Sequence, residues 1–278
     1  MKKLISLLAI GLFLSVASCS NEEDTLDNAV VINPNTNKQQ TGSSSNDLLS
    51  DKKFKSMVVE VVYVNGFEPS PQAITNFVAF LTARTYKPGG INVVKRSIPS
   101  PGNSPYTNEE IVTIEDANRT KYNNADEIAV WAFFADGKSD KDTDTSVILG
   151  TAYRNTSFVI FEQTIQGLSN SPFEPSRSLL ETTVITHEFG HILGLTNLGT
   201  ALQSNHEDAA HPKHCIEKNC LMYWSSELGC GLREASEAPK SSDPALPGGH
   251  TCRTVVWSWE RGSAKTQSRN GFRLGLRG

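Results

Sequence analysis

The chain has 278 residues, of which 38% are hydrophobic, 20% charged and 8% aromatic. That length suits one catalytic domain with extended ends or two small domains, and the modest apolar share points to unstructured ends. A net charge of −4 from 26 basic and 30 acidic residues excludes nucleic acid as a main partner, and five cysteines are too few for a disulfide-dense mini-fold.

Lys2 and Lys3 precede an apolar run, Leu4 to Ala17, that is too short to span a bilayer. A basic start, an apolar middle and small residues at the cut have the layout of a secretory signal. The segment Val16-Ala17-Ser18-Cys19 resembles the lipobox of bacterial lipoproteins. That resemblance implies removal of residues 1–18 and acylation of Cys19, an anchor that needs no spanning helix. Ser20 to Asp24 is acidic and similar to the surface-export signals of some Gram-negative lipoproteins, so the expected location is the bacterial outer membrane or cell surface. Residues 19–50 contain few apolar side chains and read as a disordered tether. Folded character begins near Phe54, and residues 51–225 read as the domain.

Met57 to Val64 is β-branched and continuous, a buried strand ended by Asn65-Gly66. Ser70-Pro71 opens a helix in which Ile74, Phe77, Val78 and Leu81 recur at helical spacing, and Lys87-Pro88-Gly89-Gly90 stops it. Ile91 to Ile98 reads as a strand, and Glu109 to Tyr122 contains a short helix. Ile128 to Phe134, Val147 to Gly150 and Ser157 to Phe161 supply three more strands. A long helix from Ser176 to Leu195 follows, with Leu179, Leu180, Val184 and Ile192 on an apolar side. This order predicts an α+β fold, a mixed sheet with helices on it.

The informative segment lies in that last helix: His187-Glu188-Phe189-Gly190-His191, an H-E-x-x-H motif. Residues four apart share a helical face, so His187 and His191 can aim both imidazoles at one ion. Neutral imidazole suits Zn2+, and zinc lowers the pKa of water to about 7, where Glu188 can take its proton.

The motif extends to Gly194 and resembles the metzincin metallopeptidases, in which the glycine turns the chain off the helix so that a third ligand can arrive. Such enzymes place His or Asp three residues after this glycine, where this chain has Asn197. A second stretch, His214-Cys215 followed by Cys220-Leu221-Met222, is similar to archaemetzincins, whose third histidine directly precedes such a cysteine pair. The resemblance implies an insertion after Gly194, with His214 as third ligand. His206 is the main alternative, Asp208 and His211 also lie in the insert, and Glu217 is a weaker choice of thermolysin type. Met222 resembles the metzincin Met-turn, an apolar floor beneath the metal.

Taken together, the resemblance implies a metzincin-like fold: a twisted mixed sheet, a backing helix and a zinc-binding active-site helix, with a small C-terminal part. It implies an edge strand, for which Val147 to Tyr153 is the choice, that grips extended protein or peptide substrate. The implied activity is that of a zinc endopeptidase, monomeric, with one catalytic Zn2+ and Glu188 as general base. The alternative is a non-catalytic surface binding module on the same scaffold. Export to an oxidising compartment favours disulfides among Cys215, Cys220, Cys230 and Cys252, with Cys215–Cys220 as a natural local pair. In residues 226–278 only Val255 to Trp259 looks strand-like. The amphipathic helix expected after a Met-turn is not found there, so this stretch reads as a divergent or disordered tail.

Overall fold

The computed structural model describes residues 32–172, 174–202, 204–228 and 253–256. The signal segment, Cys19, Cys230 and Cys252 lie outside the described residues. No helix among the described residues is long and apolar enough to cross a membrane.

The centre is a mixed sheet of five strands: β1 (Ser56–Val64), β2 (Ile91–Ile98), β3 (Glu127–Phe134), β5 (Gly150–Arg154) and β6 (Ser157–Ile160). Their order is β2-β1-β3-β6-β5. β2, β1, β3 and β6 run parallel, and β5 turns back antiparallel along β6 to form one edge. Parallel strands covered on both faces need continuous apolar runs, which explains the unbroken sequences of β1 and β3. Glu60 is the exception inside β1. Its buried carboxylate is met by Arg96 Nε at 3.0 Å and by Thr120 Oγ1 at 2.6 Å, so the charge is compensated where it sits.

Helices cover both sides. On one face α2 (Pro71–Arg84) and α5 (Arg177–Ile192) pack Phe77, Leu81, Val184 and Phe189 against Val59, Val61 and Phe158. On the other, α3 (Asn108–Asn118) sets Ile111 and Ile114 against Val62, Trp131 and Phe133. Each helix starts as its sequence dictates. Ser70 and Ser176 accept amide bonds as N-caps, and Thr107 with Glu110 forms a capping box. The short α4 (Glu162–Gly167), which the sequence does not announce, packs beside α5.

Three expectations are corrected. Residues 33–50 do not behave as a tether: a 3-10 turn, Pro34–Asn37, and α1, Ser45–Leu49, lie against the domain. Asn37 is fully buried and donates to Asn123 Oδ1, Ala129 O and Thr156 Oγ1 at 2.8, 3.0 and 3.1 Å. Asn155 donates to Thr36 O and Ser44 Oγ, and Leu48 enters the core. Lys87 then clamps the segment through the carbonyls of Asp47, Ser50 and Phe54. Polar composition misled because these side chains are buried by hydrogen bonding rather than by apolar contact.

Second, Val147 to Tyr153 is not one strand. β4 (Ser146–Ile148) separates from β5 and joins a smaller sheet with β7 (Ser225–Leu228) and β8 (Arg253–Val256), in the order β4-β8-β7. β5, without β4, forms the edge of the main sheet opposite β2. Third, the stretch beyond residue 225 is not wholly separate, since β7 and β8 pair with each other and β8 pairs with β4 of the domain. The rest of that stretch lies outside the described residues.

Candidate metal centre

Helix α5 presents two imidazoles one turn apart, and the chain beyond it returns with a third. The ligand nitrogens of His187, His191 and His214 lie within 4.8 Å of one another. Ring centroids are 4.9 Å apart for His187 and His191, 5.3 Å for His187 and His214, and 5.0 Å for His191 and His214. All three histidines and Glu188 are buried.

The environment fits a metal. His187 Nδ1 stands 2.7 Å from the Leu221 carbonyl, which orients the ring and leaves Nε2 as its ligating atom. The Nε2 atoms of His191 and His214 have no hydrogen-bond partner. Buried polar nitrogens in that condition cost free energy unless a cation takes their lone pairs. Burial pushes the His187 imidazole down to about 3, with His214 adding to the effect and the Leu221 carbonyl opposing it. Burial also holds His191 well below its usual value and brings His214 to about 4. Neutral imidazole is the ligating form.

Glu188 sits beside this cluster with no well-formed hydrogen bond at either carboxylate oxygen. Burial raises its pKa well above the usual carboxylate range, while the Ala152 amide of β5 favours the charged form. The edge strand runs directly along it: a Cβ on Gly150 would stand 2.8 Å from Glu188 Cγ. Gly150 is therefore what lets the carboxylate and the strand lie side by side, and nothing in the local sequence announces it.

The chain leaves α5 through Gly194 at φ +74°, followed by Thr196 and Asn197 at +53° and +66°. Asn tolerates that left-handed geometry better than most residues. Its side chain donates to Glu207 Oε2 at 2.9 Å, and the Lys213 amide donates to Glu207 Oε1 at 2.9 Å. Asn197 thus fastens the insert instead of ligating. The insert ends where the Asp208 amide donates to the His214 carbonyl at 2.8 Å.

Of the alternatives, His206 stays outside the cluster and engages the Ile216 amide through its carbonyl. His211 faces Asp208 at 2.9 Å and stacks on Trp224 with ring centroids 3.7 Å apart. Glu217 is exposed. Met222 is buried against the motif helix, where a Cβ on Gly190 would stand 2.4 Å from its Sδ. Gly190, at an x position of the motif, is a functional residue that sequence reasoning missed. Its only signal is small size between the two histidines. Cys215 and Cys220 stand as two free thiols, the first buried and the second half-buried.

Three buried imidazoles can therefore hold one metal ion. No protein-family model matches the chain, and no curated protein matches it.

Proposed function

We propose that this protein is a zinc-dependent endopeptidase of metzincin type, exported and held at a bacterial membrane through an acylated Cys19. The observation that carries this reading is the convergence of His187, His191 and His214 with Glu188 placed beside them. A purely structural metal site has no use for an adjacent buried carboxylate; hydrolysis does.

Zinc held by the three histidines would supply a Lewis acid that polarises the scissile carbonyl and stabilises the developing oxyanion. Glu188 takes the proton from the attacking water and passes it to the leaving amine, the work of a general base and then a general acid. β5 lies at one edge of the main sheet, with β6 its only strand partner among the described residues, so an extended peptide can add to it as a further strand. Because Gly150 brings that edge against Glu188, a peptide paired there passes the base with its backbone. Main-chain pairing makes the grip tolerant of sequence.

Metal analysis of the purified native protein should give one zinc per chain, and casein should be cleaved. Glu188→Ala should lower cleavage by about 10²–10⁴-fold while zinc stays bound. Full activity in that variant, or metal without cleavage in the native protein, would refute the peptidase reading. The latter result would point to a binding module.

A further inference from the structure

Cys215 and Cys220 flank the parts of the loop that hold the metal cluster. Cys215 directly follows His214 and is buried. Cys220 directly precedes Leu221, whose carbonyl orients His187, and Met222, which packs on Gly190. Between them the chain doubles back. The Cys215 amide donates to Met222 O at 2.7 Å, and the Cys220 amide to Glu217 O at 2.9 Å. Each sulfur accepts a backbone amide: Glu217 N–H at Cys215 Sγ (3.3 Å) and Met222 N–H at Cys220 Sγ (3.4 Å). Burial raises the Cys220 thiol to about 11, with the Met222 amide pulling the other way, so Cys220 rests as a thiol at neutral pH. Among the described residues no third His, Cys, Asp or Glu gathers at the pair.

We propose that Cys215 and Cys220 are a redox-active pair whose disulfide braces this loop and tightens zinc binding by the three histidines. The inference rests on the zinc reading above. The oxidant is a disulfide-bearing donor, either a small disulfide such as oxidised glutathione or an oxidised dithiol protein. Cys220, the more accessible sulfur, attacks one donor sulfur as thiolate and expels the other as a thiolate. Cys215 then attacks the Cys220 sulfur of the mixed disulfide and expels the second donor sulfur. The chain loses two protons and two electrons, and the donor disulfide becomes two thiols. The new bond ties the segment bearing His214 to the segment bearing Leu221 and Met222, which limits excursions of both around the ion. Groups that orient metal ligands typically influence affinity by about 10–100-fold.

The test uses the full chain, poised with oxidised glutathione or reduced with a phosphine that is then removed. Remaining thiols are trapped by N-ethylmaleimide and mapped by fragmentation mass spectrometry, and zinc itself is titrated against a chromophoric chelator. The expected result is a Cys215–Cys220 link in the oxidised protein, with the loss of two hydrogens, and zinc binding roughly tenfold tighter than in the reduced protein. The double variant Cys215→Ser/Cys220→Ser should show the reduced affinity under both conditions. The reduced native protein makes the same comparison without relying on that variant to fold. Alkylation of either thiol after oxidation, a link to Cys230 or Cys252 instead, or equal affinity in the two states would overturn the proposal. A correct link with zinc bound in neither state would instead refute the zinc reading, and the brace would fall with it.

Discussion

Helix α5 and the loop from residue 195 to 224 deliver ligands to the same point by opposite means. The helix positions His187 and His191 through its own periodicity, and its other residues, Val184, Ile185 and Phe189, anchor it in the core. Among the described residues the loop has only isolated bridges, Glu207 to Cys215 and Cys215 to Tyr223, and it places His214 through a chain of local hydrogen bonds. A ligand held by a packed helix is rigid without help from its neighbours. A ligand held by a loop depends on every contact along it, so the loop is where the site can be tuned.

Removing either kind of ligand gives the largest expected effect. His191→Ala and His214→Ala should each weaken zinc binding by more than about a hundredfold, beyond what loss of an orienting group costs. They should differ in stability. His191 lies within the packed helix, so its loss leaves a cavity in the centre of the site, whereas thermal melting of metal-free His214→Ala should stay near that of the metal-free parent. Equal destabilisation would break the contrast between helix and loop.

Next comes the segment ahead of the domain. Asn37→Ala removes the buried bonds to Asn123, Ala129 and Thr156 and takes the acceptor, Asn37 Oδ1, from the Asn123 amide, and should cost about 2–3 kcal/mol in denaturant unfolding. A neutral result would restore the tether reading.

The junction between helix and loop is probed at Gly190. Gly190→Ala should cost about 1–3 kcal/mol by pressing on Met222. Adding Met222→Ala should relieve part of that cost, a non-additivity that a double-mutant cycle reads directly.

The smallest effect is a pH dependence away from the metal. Glu162 on α4 faces Glu181 and Arg177 of α5 and Gln166 of its own helix. Burial, with the Glu181 charge adding to it, raises its pKa from 4.5 to about 8, against the pull of Arg177. The folded state then binds more protons than the unfolded one between these values. Stability from this group is full below 4.5 and is lost as pH rises through about 8. The melting temperature should fall across that window, and Glu162→Gln should flatten the fall.

Legibility in the sequence followed the range of the interactions. β1, α2, β2, α3, β3 and α5 were readable because each is specified by its own apolar spacing and its own caps. Residues 33–50 were not, since their burial depends on Asn37 and Asn155 meeting partners from distant strands. The split between β4 and β5 was hidden for the same kind of reason: Val147 and Ile148 suit either sheet, and only the pairing with β8 draws them away.

The sequence alone determined the motif pair. An i, i+4 spacing on an apolar helix makes His187 and His191 neighbours in any folded context, and Glu188 comes with them. It also put His214 forward through its cysteine neighbours. Only the tertiary structure decided between His214 and His206, set Asn197 to fasten the insert, and laid Gly150 and Gly190 against Glu188 and Met222. Those outcomes depend on how close two distant backbones come, a distance that no local pattern of side chains encodes.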